Sequence, residues 1–162
     1  MAQVFVSIGS NIDREVNIRR AVEGLRDTFG DLRLSPVYES RAVGFSGDDF
    51  FNLVAAFVTD RPVEEVVGVL RSIEDRLGRD RHQPRFSSRT IDLDLLTYDQ
   101  LILDTPGLKL PREELIENAF ILKPMADLAG EDIHPLAGQS YAQLWRAYDA
   151  ARQPLREVEF SW

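Results

Sequence analysis

Cysteine is absent from the 162 residues. No disulfide, thiolate nucleophile, zinc–thiolate site or iron–sulfur cluster can be built from this chain. Histidine is scarce. His82 and His134 are the only two, and their separation gives no paired-histidine metal motif. Any metal is left to oxygen ligands, which points to Mg²⁺. Lysine is represented only by Lys109 and Lys123, so arginine carries nearly all the positive charge. No run of 18 apolar residues occurs, and no membrane span or membrane partner is expected. The start, Met1-Ala2-Gln3-Val4-Phe5, enters an apolar segment without a basic stretch. A signal peptide is not expected, and the cytoplasm is the default compartment. Neither Gly-x-x-x-x-Gly-Lys-Ser/Thr nor Gly-x-Gly-x-x-Gly is present, so nucleotide binding would need a different phosphate cradle. Positive charge is not in excess either. The net charge of −8 argues against a nucleic-acid partner.

What is present reads as a globular protein. Hydrophobic residues at 44% and charged residues at 28% allow a sizeable core and argue against disorder. With no linker, repeat or low-complexity tract, residues 1–162 are expected to form a single domain. Val4 to Ile8 is a buried first strand. Gly9-Ser10-Asn11 reads as a turn, with Asn11 or Asp13 as a helix cap. Ile18, Ala21, Val22, Leu25 and Phe29 recur at helical spacing, and Gly30 ends that helix. Leu32 to Ser40 and Phe50 to Thr59 read as an antiparallel strand pair around a Gly-containing loop. A second helix follows Pro62, with the stripe Val63, Val66, Val67, Leu70, Ile73, Leu77 and its end at Gly78. Then come a strand over Thr90 to Thr97 and a shorter one around Leu101-Ile102-Leu103. Pro111 opens a short helical turn, Pro124 is expected to prevent one long helix, and Ser140 to Tyr148 forms a last helix. The order βαββαβ predicts an α+β, ferredoxin-like core, an antiparallel sheet with helices on one face. The other face is left for ligands and C-terminal additions.

The sharpest chemical signal is Arg89-Thr90-Ile91-Asp92-Leu93-Asp94-Leu95. On a strand, Ile91, Leu93 and Leu95 face the core, and Asp92 and Asp94 point together to the other side. Two such charges repel unless something neutralises them, and a divalent cation would. An isolated Asp-x-Asp is more often a solvated face. Here it follows a basic segment, Arg76 to Arg89, with five arginines and Asp80 as its single acid. Arginine forks bind phosphate oxygens. Taken alone, that loop is equally a solvated or RNA-contacting patch. Phe50 and Asn52 share a strand face and suit a flat heterocycle, by stacking and a hydrogen-bonded edge. Without context, a core Phe and a strand-end Asn explain them better.

In order along the chain stand Phe5-Val6-Ser7-Ile8-Gly9-Ser10-Asn11, Tyr38-Glu39-Ser40, Phe50-Phe51-Asn52, Ile73-Glu74, Gly78-Arg79, Arg89-Thr90-Ile91-Asp92-Leu93-Asp94, Leu110-Pro111 and Asn118-Ala119-Phe120-Ile121-Leu122. The set resembles the 6-hydroxymethyl-7,8-dihydropterin pyrophosphokinase family of folate biosynthesis, over Phe5 to about Met125. The resemblance implies a ferredoxin-like fold and transfer of pyrophosphate from Mg·ATP to a pterin alcohol, with release of AMP. It implies that Asp92 and Asp94 hold two Mg²⁺ ions and that Arg79, Arg89 and Asp94 are catalytic. It places Ser40, Val43, Phe50, Asn52 and Phe120 at the pterin, and Glu74, Arg81, Lys109 and Arg112 at the nucleotide. A monomer is implied.

Departures from the family pattern mark a divergent branch. Pro111-Arg112 stands where Pro-His is common, Glu113 where an aromatic or Pro follows, and Asn118 where Arg is frequent. Phe86-Ser87-Ser88-Arg89 replaces a Trp-Gly-Pro-Arg type of loop. Two other readings stay open. One is a pyrophosphokinase for another pterin-like alcohol, the other a non-catalytic ferredoxin-like module that binds pterin or nucleotide. An RNA-binding ferredoxin-like domain is disfavoured by the charge and by the lack of an aromatic ribonucleoprotein signature.

Overall fold

The computed structural model describes residues 1–41, 47–78 and 90–162. β1 (Ala2–Ser10) leads to α1 (Arg14–Phe29), β2 (Arg33–Leu34), β3 (Val37–Ser40), β4 (Phe50–Thr59), α2 (Val63–Arg76) and β5 (Asp92–Tyr98). These are the expected βαββαβ elements, with one strand divided. The division lies at Ser35-Pro36. Proline has no N–H for a ladder, and Ser35 supplies the bonds to β4 instead: its N–H donates to the Val54 carbonyl, and its hydroxyl accepts from Val54 N. The sheet order is β5-β1-β4-β3-β8, where β8 is Arg156–Val158, and β2 pairs with β4. Every pairing is antiparallel.

The alternation along the strands divides the apolar residues into two layers. Val4, Val6, Ile8, Leu53, Ala55, Phe57, Leu93 and Leu95 face α1 and α2, whose Ile18, Leu25, Val66, Leu70 and Ile73 are buried against them. Full burial of each of the larger side chains among them contributes roughly 1.5–3 kcal/mol. Gly30 at φ 82° and Gly78 at φ 88° close the two helices as expected, in a backbone region that costs a side chain its comfort. On the opposite face Phe5, Val54, Ala56 and Leu96 pack under α3 (Glu114–Glu117), α4 (Ala119–Ala129) and α5 (Tyr141–Ala147). The C-terminal additions thus take part of the face left open by the sequence pattern. The rest of it carries the polar residues described below.

Four expectations are corrected. Gly9 is not in a turn: β1 runs through it to Ser10. Neither Asn11 nor Asp13 caps α1 with its side chain. The Asn11 amide instead donates to the Asp48 carbonyl. The short strand begins only at Leu103. β6 (Leu103–Thr105) pairs with β7 (Leu108–Leu110) in a separate hairpin, after a turn in which Leu101 N–H returns to the Tyr98 carbonyl. Finally, α4 passes through Pro124. Proline removes the bond that the Phe120 carbonyl would accept. Burial of Ile121, Leu122, Met125 and Ala129 on the sheet offsets that loss. The last helix appears as expected, with Ser140 in a reciprocal capping box with Gln143.

Candidate active site

Strand register builds the floor of the site. β1 lies between β4 and β5, and Gly9 stands opposite Asn52 on one side and Asp92 on the other. One pleat along, Ser7 stands between Val54 and Asp94. Outward from β4, Tyr38 is opposite Asn52 and Ser40 opposite Phe50. Side chains alternate, so Asp92, Asp94, Ser7, Asn52, Phe50, Tyr38 and Ser40 share one face. Ile91, Leu93 and Leu95 are buried on the other, as the sequence pattern requires. Asn52 and Asp92 sit two strands apart, about 10 Å.

At the β5 end, the two aspartates are neighbours on one pleated face. Burial, then the Asp92 charge, push the Asp94 carboxyl up to about 8, against the pull of Arg112. Arg112 is 3.4 Å from Asp94 and, through Nε, 3.4 Å from Glu114. Burial pulls its guanidinium down, and Asp94, Glu114 and Asp92 more than restore it, so it stays charged. Its main chain is fixed too. The pairing of β1 with β5 shifts between Phe5 and Val6, passing over Leu96, and the Leu96 carbonyl accepts the Arg112 N–H at 3.0 Å. Among the described residues, no set of three or more carboxylate or imidazole groups converges as a ready-made metal cage. Two carboxylates leaving most ligand positions to water and phosphate oxygens is the donor set that Mg²⁺ takes. Asp92 and Asp94 therefore fit such an ion.

At the β4 end, Asn52 is 7% exposed and donates from Nδ2 to the Ser40 hydroxyl at 2.7 Å. One amide N–H and the carbonyl oxygen remain to meet a ligand edge. Gly9 leaves the room: a Cβ there would lie 2.9 Å from Asn52 Oδ1. Phe50 is half-buried beside it, and Phe120 stands in the first turn of α4, which packs over β3 and β4. The Tyr38 hydroxyl bonds to Asp127 of α4, and burial and that carboxylate raise its pKa. This half-buried contact ties the helix carrying Phe120 to the strand carrying Ser40.

Other sequence candidates fall at the margins. Glu74 on α2 is 5% exposed, and its Oε2 accepts the Leu93 N–H at 2.9 Å. That N–H lies on the outer edge of β5, between the two aspartates, so Glu74 supports their strand. Lys109 on β7 is ion-paired with Glu113, its neighbour across one turn. Val43, Arg79, Arg81 and Arg89 lie outside the described residues.

Two contributors escaped the sequence reading. A glycine inside a strand is a signal of close approach, but Gly9 precedes Ser10-Asn11 and reads as turn composition. Arg14 shows no signal at all, since it begins a helix among other charges. In the structure it pairs with Glu39 at 2.8 Å, donates to the Asp49 carbonyl and lies 3.7 Å over the Phe51 ring. It thereby joins β3 to the approach of β4.

Comparison with known proteins gives this geometry a family. The model of 7,8-dihydro-6-hydroxymethylpterin-pyrophosphokinase (HPPK) matches residues 5–130. The 2-amino-4-hydroxy-6-hydroxymethyldihydropteridine pyrophosphokinase of Aquifex aeolicus is 32% identical over 138 residues, covering 84% of this chain and 86% of that one. The Pseudomonas aeruginosa protein of the same name is 35% identical over 134 residues, 78% of this chain and 80% of that one. The folic acid synthesis protein fol1 of Pneumocystis carinii is 30% identical over 146 residues, and the chain spans only 19% of its length. A crystal structure of the Plasmodium falciparum HPPK-DHPS triple mutant superposes with a TM-score of 0.73 at 12% identity, covering 91% of this chain and 41% of that one, a likeness of fold. The match across residues 5–130, together with relatives above 30% identity over most of both chains, means that this chain belongs to the HPPK family.

Proposed function

We propose that this chain transfers the pyrophosphoryl group of Mg·ATP to the hydroxymethyl group of 6-hydroxymethyl-7,8-dihydropterin, with release of AMP, in folate biosynthesis. It does so as a single cytoplasmic domain and a monomer, with two Mg²⁺ ions. The observation that carries the reading is the shared sheet face: a carboxylate pair suited to Mg·phosphate and an amide pocket suited to a flat heterocycle, about 10 Å apart with Gly9 between them. Three relatives at 32–35% identity share the name 2-amino-4-hydroxy-6-hydroxymethyldihydropteridine pyrophosphokinase.

The residues divide the work. Asn52 presents an acceptor and a donor, the complement of a pterin edge that carries an amino group, a ring N–H and a carbonyl. Ser40 fixes the amide's orientation through the 2.7 Å bond. Phe50 and Phe120 are the aromatic surfaces for the ring, and Val43 a neighbour of it. Asp92 and Asp94 would hold the ions, whose chemistry is to neutralise phosphate charge and align the reacting oxygens. Arg79, Arg81 and Arg89 would meet phosphate oxygens, with Lys109 and Arg112 on the nucleotide side. Glu74 supports β5 from beneath. The pterin hydroxyl oxygen forms its bond to the β-phosphorus and gives up its proton to solvent, as the bond from that phosphorus to the AMP oxygen breaks. Alignment and charge neutralisation supply the rate, as in other phosphoryl transfers.

The test is AMP formation from ATP with Mg²⁺ and 6-hydroxymethyl-7,8-dihydropterin, against a reaction without pterin. Pterin-dependent AMP is expected, in step with pterin consumed. Formation of ADP, or AMP at the same rate without pterin, would overturn the reading.

A further inference from the structure

Arg112 stands beside the aspartate pair, paired with Asp94 and with Glu114. A permanent positive charge lies 3.4 Å from Asp94, the place a divalent cation would occupy or border. The guanidinium is held at its base by the bond from Arg112 N to the Leu96 carbonyl, and its side chain is 34% exposed. It can therefore turn without moving the backbone. It also has a second carboxylate, Glu114, to keep when Asp94 is taken.

We propose that Arg112 is a resident counter-cation for the Asp92/Asp94 pair. It opposes entry of a free divalent ion and yields Asp94 when the ion arrives on a triphosphate, whose oxygens the guanidinium then meets. The proposal rests on the reading of the aspartates as the metal pair.

The physics is a competition of charges. A guanidinium and a divalent ion beside one carboxylate repel each other over a few ångströms, in a partly buried site where screening by salt is weak. Nucleotide phosphate reverses the sign of that interaction. It offers the guanidinium a fork of oxygens at least as good as the carboxylate it leaves. A neutral side chain at this position would present neither the barrier nor the hand-over. The arrangement makes metal and nucleotide arrive together, and Mg²⁺ alone leaves the site largely to the arginine.

The experiment uses Mn²⁺ as the probe, with free Mn²⁺ measured by electron paramagnetic resonance and no nucleotide present. Arg112→Gln is expected to tighten Mn²⁺ binding by about tenfold, the scale on which one adjacent charge shifts a carboxylate's proton affinity. Arg112→Lys, which keeps the charge, is expected to stay near the parent protein. With a non-hydrolysable ATP analogue the sign should invert, and Arg112→Gln should bind the Mn²⁺ complex several-fold more weakly. Circular dichroism and melting of each variant confirm that the fold is intact. Unchanged or weaker Mn²⁺ affinity in Arg112→Gln overturns the proposal. So does tighter Mn²⁺ binding with unchanged affinity for the analogue, because the guanidinium is then never passed to phosphate. Asp94→Asn isolates the underlying reading. Mn²⁺ binding that survives it removes the metal pair and Arg112's role together, whereas absence of AMP formation alone leaves both standing.

Discussion

Gly9 carries more of the pocket than its missing side chain suggests. It sits in the central strand between Asn52 and Asp92. An added methyl carbon would come within 2.9 Å of Asn52 Oδ1, closer than such contacts allow. Asn52 cannot retreat cheaply, because it is buried and its other amide atom is bonded to Ser40. Gly9→Ala is therefore expected to turn the amide out of position. Pterin affinity, followed by ligand fluorescence, should fall by roughly tenfold or more, since overpacking of this kind costs ~1–3 kcal/mol. Affinity for Mg·ATP should change little, and unaltered pterin affinity would mean that Asn52 does not read the ring. The sequence made one half of this pair legible. Phe50 and Asn52 fall on one face by the alternation of a strand. The other half was hidden, because a lone glycine before Ser10-Asn11 has the composition of a turn. Only the pairing of β1 with both neighbours shows that the chain is still extended there.

Elements join through a few polar links, and the link made by α1 is the one the sequence pattern conceals. Arg14 leaves the first turn of α1 and binds Glu39 of β3 and the Asp49 carbonyl just before β4. Asn11 adds a bond to the Asp48 carbonyl. Both approaches to Ser40 and Phe50, the residues proposed to meet the pterin, are thus anchored to one helix start. Arg14→Ala is expected to raise the KM for pterin several-fold while the KM for ATP and kcat stay within about twofold, because a charged hydrogen bond of this kind is worth ~1.5–3 kcal/mol. Arg14→Lys should recover part of the loss. Equal changes in both KM values would reduce Arg14 to a general support of the fold. Helix and strand periodicity made α1, α2, β4 and β5 readable, since each buries a regular stripe or alternate face. Periodicity says nothing about which charge spans two elements. It also undervalued α4, where burial of an apolar face outweighs one proline.

Over the whole molecule, the segment beyond the family match closes the edge of the sheet. β8 pairs with β3 through Val37, Tyr38 and Glu39. Beyond it, Phe160 meets Phe51 edge-on at 6.2 Å, lies under Arg19 at 5.1 Å and carries Trp162 at 4.3 Å. Arg19 also donates to the Ser161 carbonyl at 2.7 Å. The chain end therefore binds both the strand edge and α1. It converges with the α1 clamp on one carboxylate: Arg156 first, with Arg14, holds Glu39 below the usual carboxylate range. None of this was visible in Arg156-Glu157-Val158, three residues too short to show alternation. Removal of residues 155–162 strips an unpaired edge along β3, a template for association between copies. It also uncovers the apolar ring of Phe51. The truncated chain is expected to melt at least about 5 °C lower and to aggregate with rising concentration, as read by light scattering. Arg156→Ala alone should cost no more than about 1 kcal/mol, since its side chain is 70% exposed and such pairs are weak. The contrast locates the contribution. If the single substitution destabilised as much as the truncation, the Glu39 pair rather than strand closure and the Phe160 contacts would hold the tail. If the truncation left melting unchanged, the tail would not be docked on β3 in solution. Pterin affinity should fall less in the truncated chain than in Arg14→Ala, because Arg14 still grips Glu39 from the other side after β8 is gone.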